Sequence, residues 1–489
     1  MRTGFDNDKY VQLQSQHIRE RIASFGDKLY LEFGGKLYDD YHASRVLPGF
    51  APDSKLNMLM QLKDQAEIVI VISASDIERN KVRGDLDITY DKDVLRLRQL
   101  FMERGLYVGS VVITQYVSGM KSADLFRERL KQAGIAVYTH YKIENYPQDV
   151  ALVISEEGFG KNDYIETSRP SVVITAPGPG SGKMATCLSQ LYHENKRGIR
   201  AGYAKFETFP VWNLPLSHPV NLAYEAATAD LNDVNMIDPF HLDAYGEIAV
   251  NYNRDVEIFP VLRSVFEAIY GDCPYKSPTD MGVNMNGFCL EDDEACREAS
   301  RQEILRRYYQ ALVKRAEGKD AETEIRKIEL LMRNTKLTVN DRSVVPVALK
   351  VAEEKGVPAA ALELPDGRVV TGKTGELLGA CAALLLNTIK ELAGIGDEVH
   401  LVSPSAIQPI QHLKTEYLGS RNPRLHSDEV LIALSASAAE NPLAQQAMEQ
   451  LSYLKGSMAH ASVKLSSADY KTFRKLGIDL TFEPVPEQK

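Results

Sequence analysis

The sequence predicts an α/β protein built on a doubly wound, mostly parallel β-sheet. Continuous apolar runs, EIVIVISAS at 67–75 and SVVIT at 171–175, are typical of strands that are buried on both faces. Segments of helical composition separate such runs, and this alternation over 66–240 favours a parallel sheet with helices on both faces. A helical middle region and a C-terminal α/β region complete the expected architecture.

Each predicted element rests on its apolar periodicity and on the turn residues at its ends. In the first half we predict helices over 8–24, 52–65, 91–104, 122–133 and 184–192, with strands at 67–75, 107–114, 135–139, 150–155, 171–175 and 199–208. In the second half we predict helices over 254–270, 293–317, 320–334, 343–355 and 468–476, with strands at 360–364, 462–465 and 479–482.

The loop after the strand at 171–175 is the strongest functional signal. It runs from Pro177 to Lys183 with the sequence PGPGSGK, and a helix follows it. Glycines allow backbone N–H groups to turn inward and approach an anion closely, and a helix N-terminus adds a partial positive charge. Strand, glycine-rich loop and helix in this order predict a phosphate-binding loop. Its candidate phosphate-binding residues are Gly178, Gly180, Ser181, Gly182 and Lys183.

This loop departs from the Walker A pattern G-x-x-x-x-G-K-[ST] at two positions. Pro177 stands where the first glycine belongs, and Met184 stands where a serine or threonine would hold Mg²⁺. Thr186 comes two residues too late for that role. We therefore expect phosphate binding without the usual metal placement, and the alternative interpretation is a tight strand-to-helix turn without a ligand.

Two further glycine–lysine segments are candidates for the same chemistry. One follows the expected strand at 150–155, and the other precedes an apolar helix that ends at Leu392. Neighbouring parallel strands would bring the first segment to the same sheet edge as Lys183, and glycines at a helix start fit anion binding. The candidates are Gly158, Gly160, Lys161, Gly372, Lys373 and Thr374. An ordinary turn at 158–161 and a helix cap at Thr374 are the alternatives.

Candidate catalytic residues follow the short apolar run at 234–237. They are Asp238, His241 and Asp243. A carboxylate at the end of a strand can hold Mg²⁺ or orient a water molecule, so Asp238 is also the candidate metal ligand, with helix capping as its alternative role. His42 and Arg45 lie in an expected loop over 42–50 and are candidate substrate-contacting residues, because binding groups concentrate on loops.

Composition narrows the class of protein. The chain has 489 residues, of which 44% are hydrophobic and 25% are charged, which suits two or three soluble domains. A formal net charge of −10 argues against a sequence-independent nucleic-acid binder. The five cysteines have no metal-site spacing and are expected to be reduced thiols. The longest apolar run, 377–386, is too short to span a bilayer, and no signal peptide is evident, so we expect a cytoplasmic protein.

The pattern also suggests how the chain is divided. We expect an N-terminal nucleotide- or phosphate-binding-like α/β domain over 1–245, a helical connecting region over 246–338 and a C-terminal α/β domain over 339–489. The size of the chain and its loop-rich middle favour a homo-oligomer, for which a twofold dimer is the commonest arrangement.

Three segments carry a resemblance to a known family. They are LEFGGKLYDDYHASRVLPGF, SEEGFGKNDYIETSRPSVVITAPGPGSGKMATCLSQ and LPDGRVVTGKTGELLGACAALLLN. With them the chain resembles, over essentially its whole length, a bacterial family of hypothetical proteins, the uncharacterised protein family numbered 0371. The resemblance implies a cytoplasmic bacterial protein with a nucleotide-binding-like α/β core, and it assigns no catalytic residues.

Three functions are compatible with these residues. The first is an enzyme that binds a nucleotide, such as ATP with Mg²⁺, or a phosphorylated metabolite, and hydrolyses or transfers phosphate. The second is a non-catalytic sensor of a nucleotide or anion that uses the same loops. The third is a dinucleotide-dependent oxidoreductase, although the glycines at 178–182 lack the G-x-G-x-x-G spacing. In each case the expected partner is a small phosphorylated ligand, with no nucleic acid and no membrane.

Overall fold

The computed structural model describes residues 2–26, 28–35, 37, 40–83 and 86–486. The chain forms two compact units. The N-terminal unit comprises residues 2–225 and 232–300, and the C-terminal unit comprises residues 226–231 and 301–489. Each unit has a β-sheet and an apolar core of its own.

The N-terminal unit contains the larger sheet and most of the short helices. Its strands are β1 (Leu29–Phe33), β2 (Ala66–Ser73), β3 (Val82–Arg83), β4 (Ile88–Thr89), β5 (Tyr107–Tyr116), β6 (Ala136–Tyr141), β7 (Ser171–Thr175), β8 (Gly202–Phe206), β9 (Asn235–Ile237) and β10 (Val250–Tyr252). Its helices are α1 (Asn7–Ser24), α2 (Tyr41–Val46), α3 (Ser54–Met60), α4 (Ala74–Glu78), α5 (Tyr90–Glu103), α6 (Lys121–Gln132), α7 (Val150–Val153), α8 (Lys183–Lys196), α9 (Pro219–Ala227), α10 (Pro239–Tyr245), α11 (Asn253–Tyr270) and α12 (Pro278–Met281).

Six strands form one sheet in the order β6-β5-β2-β7-β1-β8, and every pairing within it is parallel. All residues of β2 and β7 are buried, as expected for central strands that are covered on both faces. On one face, Tyr30 and Ile174 of the sheet share an apolar core with Leu188 of α8 and Phe259 of α11. The predicted α/β class with a mostly parallel sheet is confirmed.

The loop after β7 lies at a topological switch point of this sheet. From β2 the chain continues through α4 and α5 to β5 on one side, whereas from β7 it continues through α8 to β8 on the other side. Because β2 and β7 are hydrogen-bonded neighbours, the two connections diverge at the carboxyl ends of these strands. Ligands of open α/β sheets bind at such a point, so the fold places the Pro177–Lys183 loop where a ligand is expected.

Three expected elements of this unit differ from the structure. The strand expected at 150–155 is wrong, because the segment begins with helix α7, which the side chain of Asp149 caps. The loop expected at 42–50 begins instead with helix α2, which Asp40 caps in the same way. The apolar run at 234–237 forms strand β9, but β9 pairs antiparallel with β10 and lies outside the parallel sheet that was expected to extend over 66–240.

The C-terminal unit contains a four-stranded sheet in the order β12-β11-β13-β14. The strands are β11 (Ala359–Glu363), β12 (Val369–Lys373), β13 (Met458–Ala461) and β14 (Asp479–Phe482). The helices of the remaining chain are α13 (Asp293–Ala316), α14 (Glu322–Thr335), α15 (Val344–Lys355), α16 (Ala380–Ala393), α17 (Pro404–His412), α18 (Ser427–Ala438), α19 (Pro442–Glu449) and α20 (Ser467–Lys475). β13 and β14 are parallel, and the other two pairings are antiparallel. A strand was expected at 462–465, but the structure has it earlier in the chain, as β13 at 458–461.

Among the described residues, no helix combines the length and the apolar character needed to cross a bilayer. The cysteines are all unpaired thiols, and four of them are buried: Cys187, Cys289, Cys296 and Cys381.

A buried histidine in β6 is expected to make the stability of the N-terminal unit pH-dependent. Burial lowers the pKa of His140 from 6.5 to about 4, although its Nε2–H donates to the Asp163 carbonyl (3.1 Å). Between these values the unfolded imidazole binds a proton and the folded one does not, so stability falls as the pH is lowered from about 6.5 to about 4, by about 3 kcal/mol for this group. Denaturant unfolding from pH 7 to pH 4.5 should show a shallower decline for His140→Gln, whereas an unchanged decline would contradict this assignment.

Candidate functional site

The conformation of the loop between β7 and α8 depends on its glycines. Gly180 and Gly182 have φ values of 73° and 87°, in the left-handed region that side chains disfavour. Gly178 meets a different constraint, because a Cβ at this position would lie 2.2 Å from the hydroxyl oxygen of Tyr90. The sequence therefore folds here into a tight loop that other residues would distort.

Four carbonyl groups of this loop are held by hydrogen bonds inside the protein. They accept as follows: Gly178 O from Ser181 Oγ (3.0 Å), Gly180 O from Gln115 Nε2 (3.2 Å), Ser181 O from Thr114 Oγ1 (2.6 Å), and Gly182 O from the N–H of Thr186 (2.9 Å). Two of these donors, Thr114 and Gln115, stand at the carboxyl end of β5. Gln115 is itself strained, with φ of 53°. The neighbouring strand thus fixes the direction of the loop's peptide groups.

Unlike these carbonyls, the backbone N–H groups of the same stretch make no hydrogen bonds inside the described part of the protein. Gly182 is the N-cap residue of α8 and provides no side-chain cap, and the backbone N–H groups from Gly180 to Ala185 have no acceptor in the described part of the chain. The first N–H groups of a helix point outward along its axis and carry its positive partial charge. Four carbonyls of the loop are satisfied and the N–H groups from Gly180 to Ala185 are available, so this stretch offers several donors to a ligand, as an anion site requires.

Lys183 adds a full positive charge at the same place. Its side chain is partly exposed, and it makes no ion pair or hydrogen bond with any described residue. Burial raises the pKa of the Cys187 thiol one turn along the same helix, the Glu32 carboxylate raises it further, and the Lys183 ammonium group lowers it. Lys183 is therefore available to neutralise a bound anion.

A buried ion pair lies on the same face of the sheet, between β8 and α11. Lys205 and Asp255 are 8% and 6% exposed, and Lys205 Nζ lies 2.6 and 2.8 Å from the two carboxylate oxygens of Asp255. Lys205 also contacts the Tyr252 hydroxyl and lies 3.4 Å from Glu207. Burial alone would lower the pKa of Lys205, but Asp255 and Glu207 outweigh it and raise that pKa. The pair fixes the start of α11 against the end of the sheet.

The segment Gly158–Lys161 is separate from the β7–α8 loop and contacts a different strand of the sheet, β6. It follows α7 instead of a strand, and Gly158 is required for packing because a Cβ there would lie 2.1 Å from the Leu152 carbonyl oxygen. Lys161 covers the ring of Tyr141, at the end of β6, with Nζ 5.0 Å from the ring centre. β6 and β7 are three strand spacings apart, about 14 Å, so Lys161 and Lys183 do not meet around one phosphate.

The segment Gly372–Thr374 belongs to the C-terminal unit. Gly372 and Lys373 end strand β12, and Thr374 donates its N–H to Pro358 O (2.8 Å). The expectation that they open a helix is wrong, because α16 begins at Ala380 with Gly379 as its N-cap. Gly372 allows α16 to pack closely, since a Cβ there would lie 2.2 Å from the backbone nitrogen of Leu384.

Asp238 has the helix-capping role that was the alternative to metal binding. It is fully buried and caps α10, accepting from the N–H groups of Phe240 (3.0 Å) and His241 (3.1 Å). Its second oxygen accepts from the hydroxyl of Thr279 (2.7 Å). Both carboxylate oxygens are therefore engaged within the protein.

The other two candidate catalytic residues lie on α10 itself. The ring of His241 is buried, and its Nδ1 lies 3.0 Å from the Ser277 hydroxyl oxygen. The same ring packs against Tyr245, with 4.7 Å between ring centres. Asp243 is exposed. His241 is thus held by Tyr245 of its own helix and by Ser277, and no contact among the described residues joins it to the β7–α8 loop.

No group of three or more His, Cys, Asp or Glu side chains in the described ranges has the arrangement of a metal site. The expected substrate-contacting residues, His42 and Arg45, lie on α2. The ring of His42 packs edge-on against Phe209, with 5.1 Å between ring centres, and near Tyr224. Both residues thus lie on a short helix, and His42 lies beside aromatic rings.

Sequence reasoning missed the residues that hold the loop. Thr114, Gln115 and Tyr90 come from β5 and α5, which are distant from the loop in sequence. One feature of the sequence could have identified two of them: Thr114 and Gln115 stand at the end of a predicted buried strand. Polar residues at the carboxyl edge of a parallel sheet converge there.

The fold and this loop define an α/β protein with a donor-lined, positively charged loop at the switch point of a parallel sheet. The family model described as "Domain of unknown function DUF1846, N-terminal" matches residues 3–336, and the corresponding C-terminal model matches residues 340–489. The chain therefore belongs to this family.

Relatives agree with that membership and with the resemblance to family 0371. The chain is 60% identical over 480 residues to the UPF0371 protein of Streptococcus pneumoniae (strain JJA), and the match covers 98% of this chain and 97% of the relative. It is 59% identical, over the same shares of both chains, to a UPF0371 protein of Streptococcus thermophilus (strain ATCC BAA-250 / LMG 18311).

Proposed function

We propose that the N-terminal unit binds the phosphate group of a small phosphorylated metabolite or nucleotide at the Gly178–Lys183 loop. One observation carries the proposal: four loop carbonyls, those of Gly178 and of Gly180–Gly182, accept hydrogen bonds within the protein, while the N–H groups from Gly180 to Ala185 have no acceptor among the described residues. Lys183 and the start of α8 supply positive charge at the same point. The loop also lies at a switch point, where ligands of open α/β sheets bind.

The residues at this loop favour direct recognition of phosphate over recognition through Mg²⁺. Met184 offers no oxygen ligand, and the Thr186 hydroxyl donates to the Gly182 carbonyl of its own helix (3.0 Å). The Asp238 carboxylate is engaged by hydrogen bonds on both of its oxygens. This donor set does not reproduce the Ser/Thr and Asp ligands of a Walker-type metal site, so we propose binding as the function and route no metal-dependent step through these residues.

The test is a calorimetric titration of the full chain with inorganic phosphate, AMP and ATP, each with and without Mg²⁺. A few charge-assisted hydrogen bonds of about 1.5–3 kcal/mol each predict a Kd of about 1 mM or tighter for the phosphate group alone. We expect binding to persist without Mg²⁺ and to weaken with added sulfate, which competes for the same donors. No heat from any of the three ligands would contradict the proposed function.

A further inference from the structure

The hydroxyl group of Tyr90 lies against the Gly178–Lys183 loop without a hydrogen bond of its own. Tyr90 is the first residue of α5 and is only 7% exposed. A Cβ added to Gly178 would lie 2.2 Å from its hydroxyl oxygen and 2.7 Å from the adjoining ring carbon, so the tip of the ring contacts the loop. No described residue bonds to this hydroxyl, and it is not one of the unpartnered polar atoms that are sealed from solvent. It is therefore an accessible polar group beside the loop.

Lys81 lies on the ring of the same tyrosine. Its Nζ is 5.0 Å from the centre of the Tyr90 ring. Its backbone is fixed there, because its carbonyl accepts from the N–H of Tyr90 (2.9 Å) and its own N–H donates to the Asp76 carbonyl (3.0 Å). The Asp76 carboxylate also pairs with Lys81 Nζ, at 3.3 Å. In this pair the lysine side chain is 41% exposed and the aspartate side chain 13%, so the positive partner is the more accessible to a ligand.

These residues and the loop belong to the two connections that diverge at the switch point. Asp76, Lys81 and Tyr90 lie in the connection that follows β2, whereas Lys183 lies in the connection that follows the neighbouring strand β7. Each connection therefore contributes one accessible ammonium group at the carboxyl edge of the sheet. The Tyr90 side chain joins the two, because it contacts both Lys81 and Gly178.

The chemistry of Tyr90 and Lys81 suits an anion. Burial raises the pKa of Tyr90, although Lys81 lowers it, so the hydroxyl is protonated at neutral pH and can donate. A lysine ammonium group has several N–H donors, and its pairing with the Asp76 carboxylate does not use them all. The loop N–H groups and Lys183 already provide donors for one phosphate. Tyr90 and Lys81 are thus available to a second anionic group of the same ligand.

We propose that the ligand of this site carries a second anionic group besides the phosphate at Gly178–Lys183, and that the Tyr90 hydroxyl and the Lys81 ammonium group bind it. Diphosphates and phosphorylated carboxylic acids share this chemistry. The inference rests on the proposed function, since the phosphate anchors the ligand. It adds a substrate class and two specificity-determining residues to that function.

The test compares wild type, Tyr90→Phe and Lys81→Met in calorimetric titrations with methyl phosphate, pyrophosphate and phosphoglycolate, all without Mg²⁺. Tyr90→Phe removes only an unpartnered hydroxyl, and Lys81→Met breaks a partly exposed ion pair, so both variants should fold. We expect wild type to bind pyrophosphate or phosphoglycolate about tenfold more tightly than methyl phosphate, and the preferred compound identifies the second group. Both variants should lose most of this preference and keep their methyl phosphate affinity within about twofold of wild type.

The matched control is Lys131→Met. Lys131 pairs with Glu128 (3.1 Å) near the end of α6, just before β6 begins, so this variant removes the same charge at the opposite edge of the sheet. It should retain the preference. If it loses the preference as Lys81→Met does, the effect is one of overall charge, and the assignment of Lys81 is overturned.

The remaining outcomes separate this inference from the proposed function. If wild type binds all three compounds equally, the inference is overturned while the proposed function stands. If Tyr90→Phe or Lys81→Met keeps the full preference, or weakens methyl phosphate as much as pyrophosphate, the assignment of that residue is overturned. If wild type binds none of the three compounds, the proposed function itself fails.

Discussion

Lys205→Met is expected to lower the free energy of unfolding of the N-terminal unit by about 3–5 kcal/mol, because it leaves the buried Asp255 carboxylate without its counter-charge. Lys205 holds both oxygens of Asp255 within 2.8 Å and lies 3.4 Å from Glu207. Methionine preserves most of the side-chain volume, so the loss measures charge and hydrogen bonding more than packing. Denaturant unfolding followed by the fluorescence of Trp212, the only tryptophan of the chain, reports on this unit.

Two further variants make that measurement specific. Lys196→Met breaks an exposed ion pair with Glu156 and should leave the stability almost unchanged, because exposed pairs contribute little. In Lys205→Met/Asp255→Leu both partners are apolar, so the double variant should be more stable than Lys205→Met alone. Equal stability of Lys205→Met and Lys196→Met would contradict the view that Lys205 compensates the buried Asp255 carboxylate.

Lys183→Ala is expected to weaken phosphate binding by about tenfold to a hundredfold, since a hydrogen bond from a charged donor is worth about 1.5–3 kcal/mol and 1.4 kcal/mol is one decade of affinity. The folded state should be nearly unaffected. Lys183 makes no ion pair with the described residues, and a lysine at a helix N-terminus is mildly unfavourable to the helix dipole. Titration of the variant with inorganic phosphate and a thermal melt without ligand separate the two effects.

Lys161→Ala is the matched control, because Lys161 ends the other glycine–lysine segment of the same unit. It contacts the Tyr141 ring, about three strand spacings from β7. This variant should bind phosphate as wild type does. If it weakened binding as much as Lys183→Ala, the two loops would share one site, contrary to the geometry.

Local sequence patterns predicted the sheet because its central strands are mostly apolar. The runs at 67–75 and 171–175 became β2 and β7, whose residues are all buried. The Pro177–Lys183 loop was predicted for the same reason, since its glycines and the following helix are contiguous in the chain. Local patterns failed where a segment is compatible with two secondary structures. Residues 150–155 have strand composition, but the Asp149 cap selects a short helix.

What the sequence could not supply is contact between distant segments. Thr114 and Gln115 hold the loop from β5, and this contact depends on the strand order. The glycine–lysine pattern also overpredicted sites, because a glycine required for close packing looks the same in sequence as one required for a ligand. Gly158 and Gly372 both serve packing, against backbone atoms 2.1 and 2.2 Å from where a Cβ would lie.

The central claim is that the backbone N–H groups of this loop bind phosphate. The most direct measurement is an amide NMR titration of ¹⁵N-glycine-labelled protein with inorganic phosphate. We predict saturable downfield shifts of the Gly180 and Gly182 amide protons, with Gly158 and Gly160 unchanged. Saturable shifts at Gly158 and Gly160 alone, or none at any of these four glycines, would contradict the claim.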